Sequence, residues 1–158
     1  GHTYVLRGAP RVPAGETLTI QPGALVKLDG SFARLEVYGR LLAIGSSTQR
    51  IVFTSYRDDS AGGDHNGDGG ASSPGRGDWL YLQLGNGADG SALRRCEFRY
   101  GGANGAPLVT VVPANLVVED CVFLHGAGAG LEMYSAPAAV QRCHFERCLQ
   151  PVTRVEPR

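Results

Sequence analysis

The chain has 158 residues with 15 basic and 15 acidic side chains, a formal net charge of zero. That length suits one domain, read here as residues 1–158, with a sizeable core but no room for two comfortable ones. The lack of a basic surplus argues against a nucleic-acid partner, and no run of eighteen apolar residues is present to span a membrane.

Glycine is the commonest residue at 23, beside 9 prolines, and Lys27 is the only lysine among the basic residues. Such a composition implies many tight turns and little helix. In chain order the β-like runs are "TYVL" (3–6), "TLTI" (17–20), "ALVKL" (24–28), "RLEVYG" (34–39), "LLAIG" (41–45) and "RIVFTS" (50–55). After an aspartate-rich segment come "WLYLQLG" (79–85), "PLVTVV" (107–112) and "NLVVEDCVFLH" (115–125). Each is alternating or β-branched and ends at a turn former. Two of the turns, "VPAG" (12–15) and "QPGA" (21–24), combine proline with glycine.

The second half repeats itself. "LRRCEF" (93–98), "VEDCVF" (118–123) and "VQRCHF" (140–145) all read apolar-x-x-Cys-x-Phe. A period in the twenties with one short set of strands per turn is the signature of a β-solenoid. Cys96, Cys121 and Cys143 are then expected to form one inward ladder and Phe98, Phe123 and Phe145 a second, with like residues spaced by ~4.8 Å. The same register stacks Arg95, Asp120 and Arg142 as an alternating charge ladder at a turn. Adjacent opposite charges help by about 0.2–1 kcal/mol per pair.

The stretches "VPAGETLTIQPGALVKL" and "LEVYGRLLAIGSSTQRIVFTSYRDDSAGGDHNGDGGASSPGRGDW" resemble the right-handed parallel β-helix domains of bacterial and archaeal surface proteins. The resemblance covers most of residues 1–102, and its most specific part is the "DDS-GGD-NGDG" insertion followed by "GDW". It implies an all-β, single-stranded right-handed parallel β-helix with a loop insertion at about 57–78, and a secreted or cell-surface location. Arg95, Asp120 and Arg142 stand where such rungs often carry asparagine. The resemblance says little about activity, because the fold hosts several functions.

Inside the insertion, "DHNGDG" (64–69) matches the first half of a calcium loop of the type D-x-[DN]-x-[DN]-G. Alternate residues of a curled backbone turn their oxygens inward, and glycine permits the bend. The twelfth position holds Gly75 in place of the usual glutamate, so other oxygens must complete a six-to-eight-fold shell. The expected metal ligands are Asp58, Asp59, Asp64, Asn66, Asp68 and Asp78, with backbone carbonyls and water, and the expected cofactor is calcium in a structural role. The competing reading is a solvated, mobile acidic loop, which the glycines equally predict.

Four cysteines allow disulfides, but the apolar-x-x-Cys-x-Phe pattern favours Cys96, Cys121 and Cys143 as buried thiols, with Cys148 five residues beyond Cys143. His2, His65, His125 and His144 form no Ser-His-Asp or Cys-His arrangement; His65 and His144 are expected to point away from the loop and the core. The enzymes built on this fold carry clustered acids on the outer strand face. Here Glu97, Arg99, Glu119, Glu146 and Arg147 give mixed charge and no acid pair of the kind glycoside hydrolysis requires. Trp79 is expected to pack the insertion onto the coil. No catalytic residue is assigned.

No helical cap is visible at either end, so the ends are expected to meet neighbouring domains of a longer surface protein or to stack on one another head-to-tail. These readings point to a non-enzymatic, calcium-stabilised extracellular module of a surface layer, adhesin or filament. The alternative is a calcium-dependent carbohydrate-binding or polysaccharide-degrading β-helix with a glycan partner.

Overall fold

Short apolar runs that stop at turn formers cannot pair as hairpins when each turn bends the chain by about a third of a circle; they wind instead. The computed structural model describes residues 1–113, 115–135 and 139–155. The first coil consists of β1 (Thr3–Arg7), β2 (Arg11–Val12) and β3 (Thr17–Ile20), the second of β4 (Leu25–Asp29), β5 (Leu35–Val37) and β6 (Arg40–Ile44). The third holds β7 (Ile51–Ser55), β8 (Leu82–Leu84) and β9 (Ala92–Arg94), the fourth β10 (Cys96–Arg99), β11 (Val109–Val111) and β12 (Val117–Glu119). Then follow β13 (Val122–Leu124), β14 (Leu131–Met133) and β15 (Ala139–Gln141), and finally β16 (His144–Glu146) and β17 (Val152–Arg154).

The first strands of successive coils form one sheet, β1-β4-β7-β10-β13-β16; the second strands form β2-β5-β8-β11-β14-β17 and the third form β3-β6-β9-β12-β15. The strand pairs are parallel. The chain is a parallel β-solenoid of about six turns.

The corners explain why the strands stop where they do. In "QPGA" the Ala24 N–H donates to Gln21 O at 3.2 Å with Gly23 at φ 77, and in "VPAG" the Glu16 N–H donates to Pro13 O at 3.1 Å with Gly15 at φ 83. A turn of that kind needs φ > 0 at its third residue, which glycine supplies without strain. The later corners use a single left-handed residue: Arg95 (φ 51), Asp120 (φ 54) and Arg142 (φ 50) between the third and first sheets. The run 115–125 therefore does not form one strand; it breaks at Asp120 into β12 and β13.

The charge ladder stands at this corner. Arg142 Nε donates to Asp120 Oδ1 at 2.7 Å, and Arg95 approaches the other Asp120 oxygen only to 3.9 Å. A left-handed arginine costs about 1–2 kcal/mol, and asparagine much less, whereas an exposed pair at that distance is worth about 0–1 kcal/mol. Arg95→Asn is thus expected to raise stability by roughly 0.5–1 kcal/mol in denaturant unfolding, and Arg142→Asn, which sacrifices the tighter pair, to gain less. A destabilised Arg95→Asn would mean that the ion pair outweighs the strain.

Inside, Phe53, Phe98, Phe123 and Phe145 stack with ring centroids 4.9, 5.2 and 4.7 Å apart. Register continues the column to Val26 and Tyr4. The cysteine ladder runs beside it, and all four cysteines are free thiols. Each inward thiol donates to a carbonyl of the coil before: Cys96 to Ala43 O at 3.2 Å, Cys121 to Leu93 O at 3.4 Å, Cys143 to Val118 O at 3.6 Å. These carbonyls belong to the next-to-last residues of third-sheet strands, just before the corner diverts the chain. Cysteine suits the position as a small apolar side chain with a weak donor. At Cys121 the bond with Cys143 favours the thiolate, but the bond with Cys96 and burial outweigh it and push the thiol up to about 12. Cys143 is raised by its bond with Cys121 and then by burial. Cys96 and Cys121 are buried and Cys143 is half-buried; the raised pKa of Cys121 and Cys143 leaves them little thiolate character.

The first coil leaves its apolar cross-section open as a cavity of about 330 Å³, lined among others by Tyr4, Leu6, Val12, Leu18, Ile20 and Val26.

Candidate metal centre

Between the first and second sheets the second coil turns through residues 30–34, but the third uses residues 56–81. The excursion folds back over the outer face of the first sheet, which leaves β4 buried on both faces: Leu25, Val26, Lys27 and Leu28 are all shielded. At Gly62 (φ 73) a Cβ would come within 2.6 Å of Leu25 Cδ2, so the loop lies on the strand with no room for a side chain. The return is pinned by Trp79, which is fully buried, bridges to Gly101 and donates from Nε1 to Arg99 O at 2.7 Å. The Tyr56 hydroxyl donates to His65 O at 2.8 Å and holds the outgoing limb. His65 is partly buried, its Nδ1 2.9 Å from Gly63 O, and the His144 side chain is exposed.

The six residues expected as ligands separate into two groups. Asp58 is fully buried at the loop base. Its Oδ2 accepts from Thr54 Oγ1 at 2.6 Å and from Arg99 Nη1 at 3.3 Å, and its Oδ1 accepts from the Ser60 hydroxyl. Asp78 accepts from Ser55 Oγ at 2.6 Å and from the Gly75 N–H at 3.0 Å, with Arg57 at 3.8 Å. Neither joins the cluster at the tip. There, oxygens of Asp59, Asp64 and Asp68 lie within 4.8 Å of one another.

The tip is shaped by its own carboxylates. Asp64 accepts from the N–H groups of Gly67 (2.6 Å) and Gly69 (2.8 Å), and Asp68 from those of Gly70 (2.8 Å), Ala71 (3.0 Å) and Ser72 (3.0 Å). Gly67, Gly69 and Gly70 all have positive φ, the conformation in which successive N–H groups converge on one acceptor. The Ser72 hydroxyl, aided by these N–H groups and opposed by desolvation, holds the Asp68 carboxyl below its usual range. Asn66 donates from Nδ2 to Asp68 Oδ2 at 2.9 Å. Its Oδ1 and Asp59 Oδ1 are closed off from solvent and have no hydrogen-bond donor among the described residues.

Set against family models, curated proteins and solved structures, the chain matches none.

Two residues outside the aspartate pattern matter here. Lys27, fully buried, reaches from β4 under the loop and donates from Nζ to Asp58 O at 3.0 Å and Gly63 O at 2.9 Å. Burial lowers its pKa, while the charges of Asp58, Asp59 and Asp64 act to raise it. Arg99 closes the base against Asp58 and Glu97. The one sequence signal for Lys27 is that a lone lysine interrupts the apolar run "ALVKL" in a chain whose other basic residues are all arginine.

Elsewhere on the outer surface, acids face bases. Glu97 pairs with Arg99, Glu119 with Arg94 and Arg142, and Glu146 lies 3.6 Å from Arg147 and 3.7 Å from His144. Among the described residues no helix is long and apolar enough to cross a membrane.

Proposed function

We propose that the chain is a calcium-stabilised, non-enzymatic structural module of a secreted or cell-surface assembly. One observation carries the metal: Asp59 Oδ1 and Asn66 Oδ1 are buried without a donor beside three clustered carboxylates. A buried acceptor with no donor asks for a partner, and among carboxylates a cation answers best. Every donor atom on offer is oxygen, which suits a hard divalent ion, and an irregular flexible loop suits calcium's loose shell better than magnesium's strict octahedron. Asp59, Asp64, Asn66 and Asp68 would hold the ion, whose contribution is charge neutralisation that closes the tip.

The location rests on the motif resemblance and on affinity scale. A site with few carboxylates on a glycine-rich loop fits the weak range, about 10⁻⁴–10⁻³ M, of extracellular calcium modules. The assembly role draws on the open apolar face of the first coil, which suits stacking by a further coil, from the same polypeptide or another copy. The non-enzymatic reading draws on the outer acids Glu97, Glu119 and Glu146, each of which faces a base; hydrolysis of a glycoside needs two carboxyl groups facing each other across the bond.

Thermal unfolding with calcium and with chelator tests the proposal. At free calcium of 100 times Kd the native state gains about 2.7 kcal/mol, a midpoint rise of roughly 5–10 °C for a chain of this size. An unchanged midpoint across the millimolar range removes calcium from the reading. A second reading, glycan binding, is favoured by a polar cavity of about 320 Å³ lined by Asp29, Ser31, Ser55, Arg57 and Asp78. Turnover or saturable binding on a panel of acidic polysaccharides would put that reading first.

A further inference from the structure

We infer that Lys27 is a positioning residue for the ion, so that the ammonium and the metal are two coupled cations ordering one loop. The inference rests on the calcium reading above and concerns a residue outside its ligand set. The two carbonyls that Lys27 holds belong to Asp58 and Gly63. They stand immediately before Asp59 and Asp64, two of the three clustered carboxylates. The backbone carrying both ligands is thus clamped from below, 31 and 36 residues away in sequence.

The clamp is rigid because its strand is. β4 pairs in parallel with β1 on one side and β7 on the other. Lys27 is fully buried, and a buried ammonium that loses its acceptors is left uncompensated. Letting go of the loop is therefore costly for the lysine, and the loop segment between the two carbonyls stays in one shape. A metal that needs Asp59 and Asp64 brought together finds that part of the ordering already done.

Two effects of opposite sign meet at this side chain. As a like charge, Lys27 repels an incoming cation, and deleting it should tighten binding. As a clamp it pre-organises two ligands, and deleting it should weaken binding. The proximity of two clamped carbonyls to two ligand residues makes the second effect the larger.

Calcium titration calorimetry on the intact chain reads the sign. Lys27→Met is expected to bind calcium at least tenfold more weakly although a positive charge has gone; equal or tighter binding overturns the inference. Should the unsubstituted chain take up no calcium, the calcium reading falls and this inference with it, a result seen before any variant is made. Should Lys27→Met fail to fold, the unsubstituted chain supplies the same answer. Lys27 is the only lysine, so mass spectrometry after an amine-acylating reagent reads its side chain without interference from another lysine, with an added lysine-containing peptide as reference. Coupling is reciprocal, so calcium should slow acylation of Lys27 relative to that peptide by at least tenfold at fixed pH. An acylation rate indifferent to calcium, in a chain that binds calcium, overturns the inference.

Discussion

Truncating Phe98 to alanine is expected to destabilise the chain by about 3–5 kcal/mol, the range for large aromatic deletions in a core. The ring is fully buried and lies between Phe53 at 4.9 Å and Phe123 at 5.2 Å. Its neighbours cannot close the gap, because strand pairing sets the separation of the coils at ~4.8 Å. The cavity therefore persists, and two stacking contacts, each worth about 0.5–1.5 kcal/mol beyond area, vanish with the ring. Phe145→Ala makes the control: it is only partly buried and stacks on a single described ring, Phe123, so roughly half the loss is expected. Each coil touches only its neighbours, so a gap in the middle also weakens communication between the two halves. Equal losses for Phe98→Ala and Phe145→Ala in urea unfolding would show that the column is not what holds the coils together.

That column was only partly legible beforehand, for a physical reason. Phe98, Phe123 and Phe145 announce themselves because the coils that carry them are close to one length and repeat one local pattern. Phe53 belongs to the same ladder, yet Ile51 fills the place of the cysteine and the insertion interrupts the spacing. The corners divide in the same way. Gly23 and Gly15 can be read as turns because glycine is the residue that such turns require. Asp120 cannot, since a charged residue at φ 54 leaves no mark on the strand pattern around it, and the run 115–125 reads as continuous.

The site shows a similar boundary. The alternation of Asp64, Asn66 and Asp68 is a local signal and describes local geometry: Asp64 and Asp68 shape the tip through N–H groups two to five positions away, and Asn66 donates to Asp68. Asp58 and Asp78 carry the same chemistry, and composition alone offers them as ligands. What removes them from the cluster is their other partners, Thr54, Ser60 and Arg99 for one and Ser55 and the Gly75 amide for the other. Lys27 leaves a fainter mark, a lone lysine inside an apolar run, which says nothing of the loop it holds. Lysine is almost never fully buried unless paired, and only the return of the loop over β4 buries it.

These two kinds of aspartate should separate cleanly on substitution. Asp58→Ala is expected to cost roughly 3 kcal/mol, in chelator and in calcium alike, since removing one member of a buried charged pair strands the others. Thr54 and Ser60 lose the acceptor of their hydroxyls, and Arg99, its side chain 23% exposed, loses a buried carboxylate and retains Glu97, a long contact to the Ser60 hydroxyl at 3.4 Å and the solvent that reaches it. Asp68→Asn changes a carboxylate at the tip that one asparagine, one serine and three backbone amides already surround. In chelator its cost should stay at about 1–2 kcal/mol, because the amide nitrogen that replaces one oxygen cannot accept from the donors that oxygen served, while the calcium-dependent rise in the midpoint should disappear. The reverse pattern, with Asp58→Ala silent in chelator but blind to calcium, would move the ion from the tip to the base. The geometry argues against that exchange: both Asp58 oxygens have a donor, and the unanswered oxygens, Asp59 Oδ1 and Asn66 Oδ1, are at the tip.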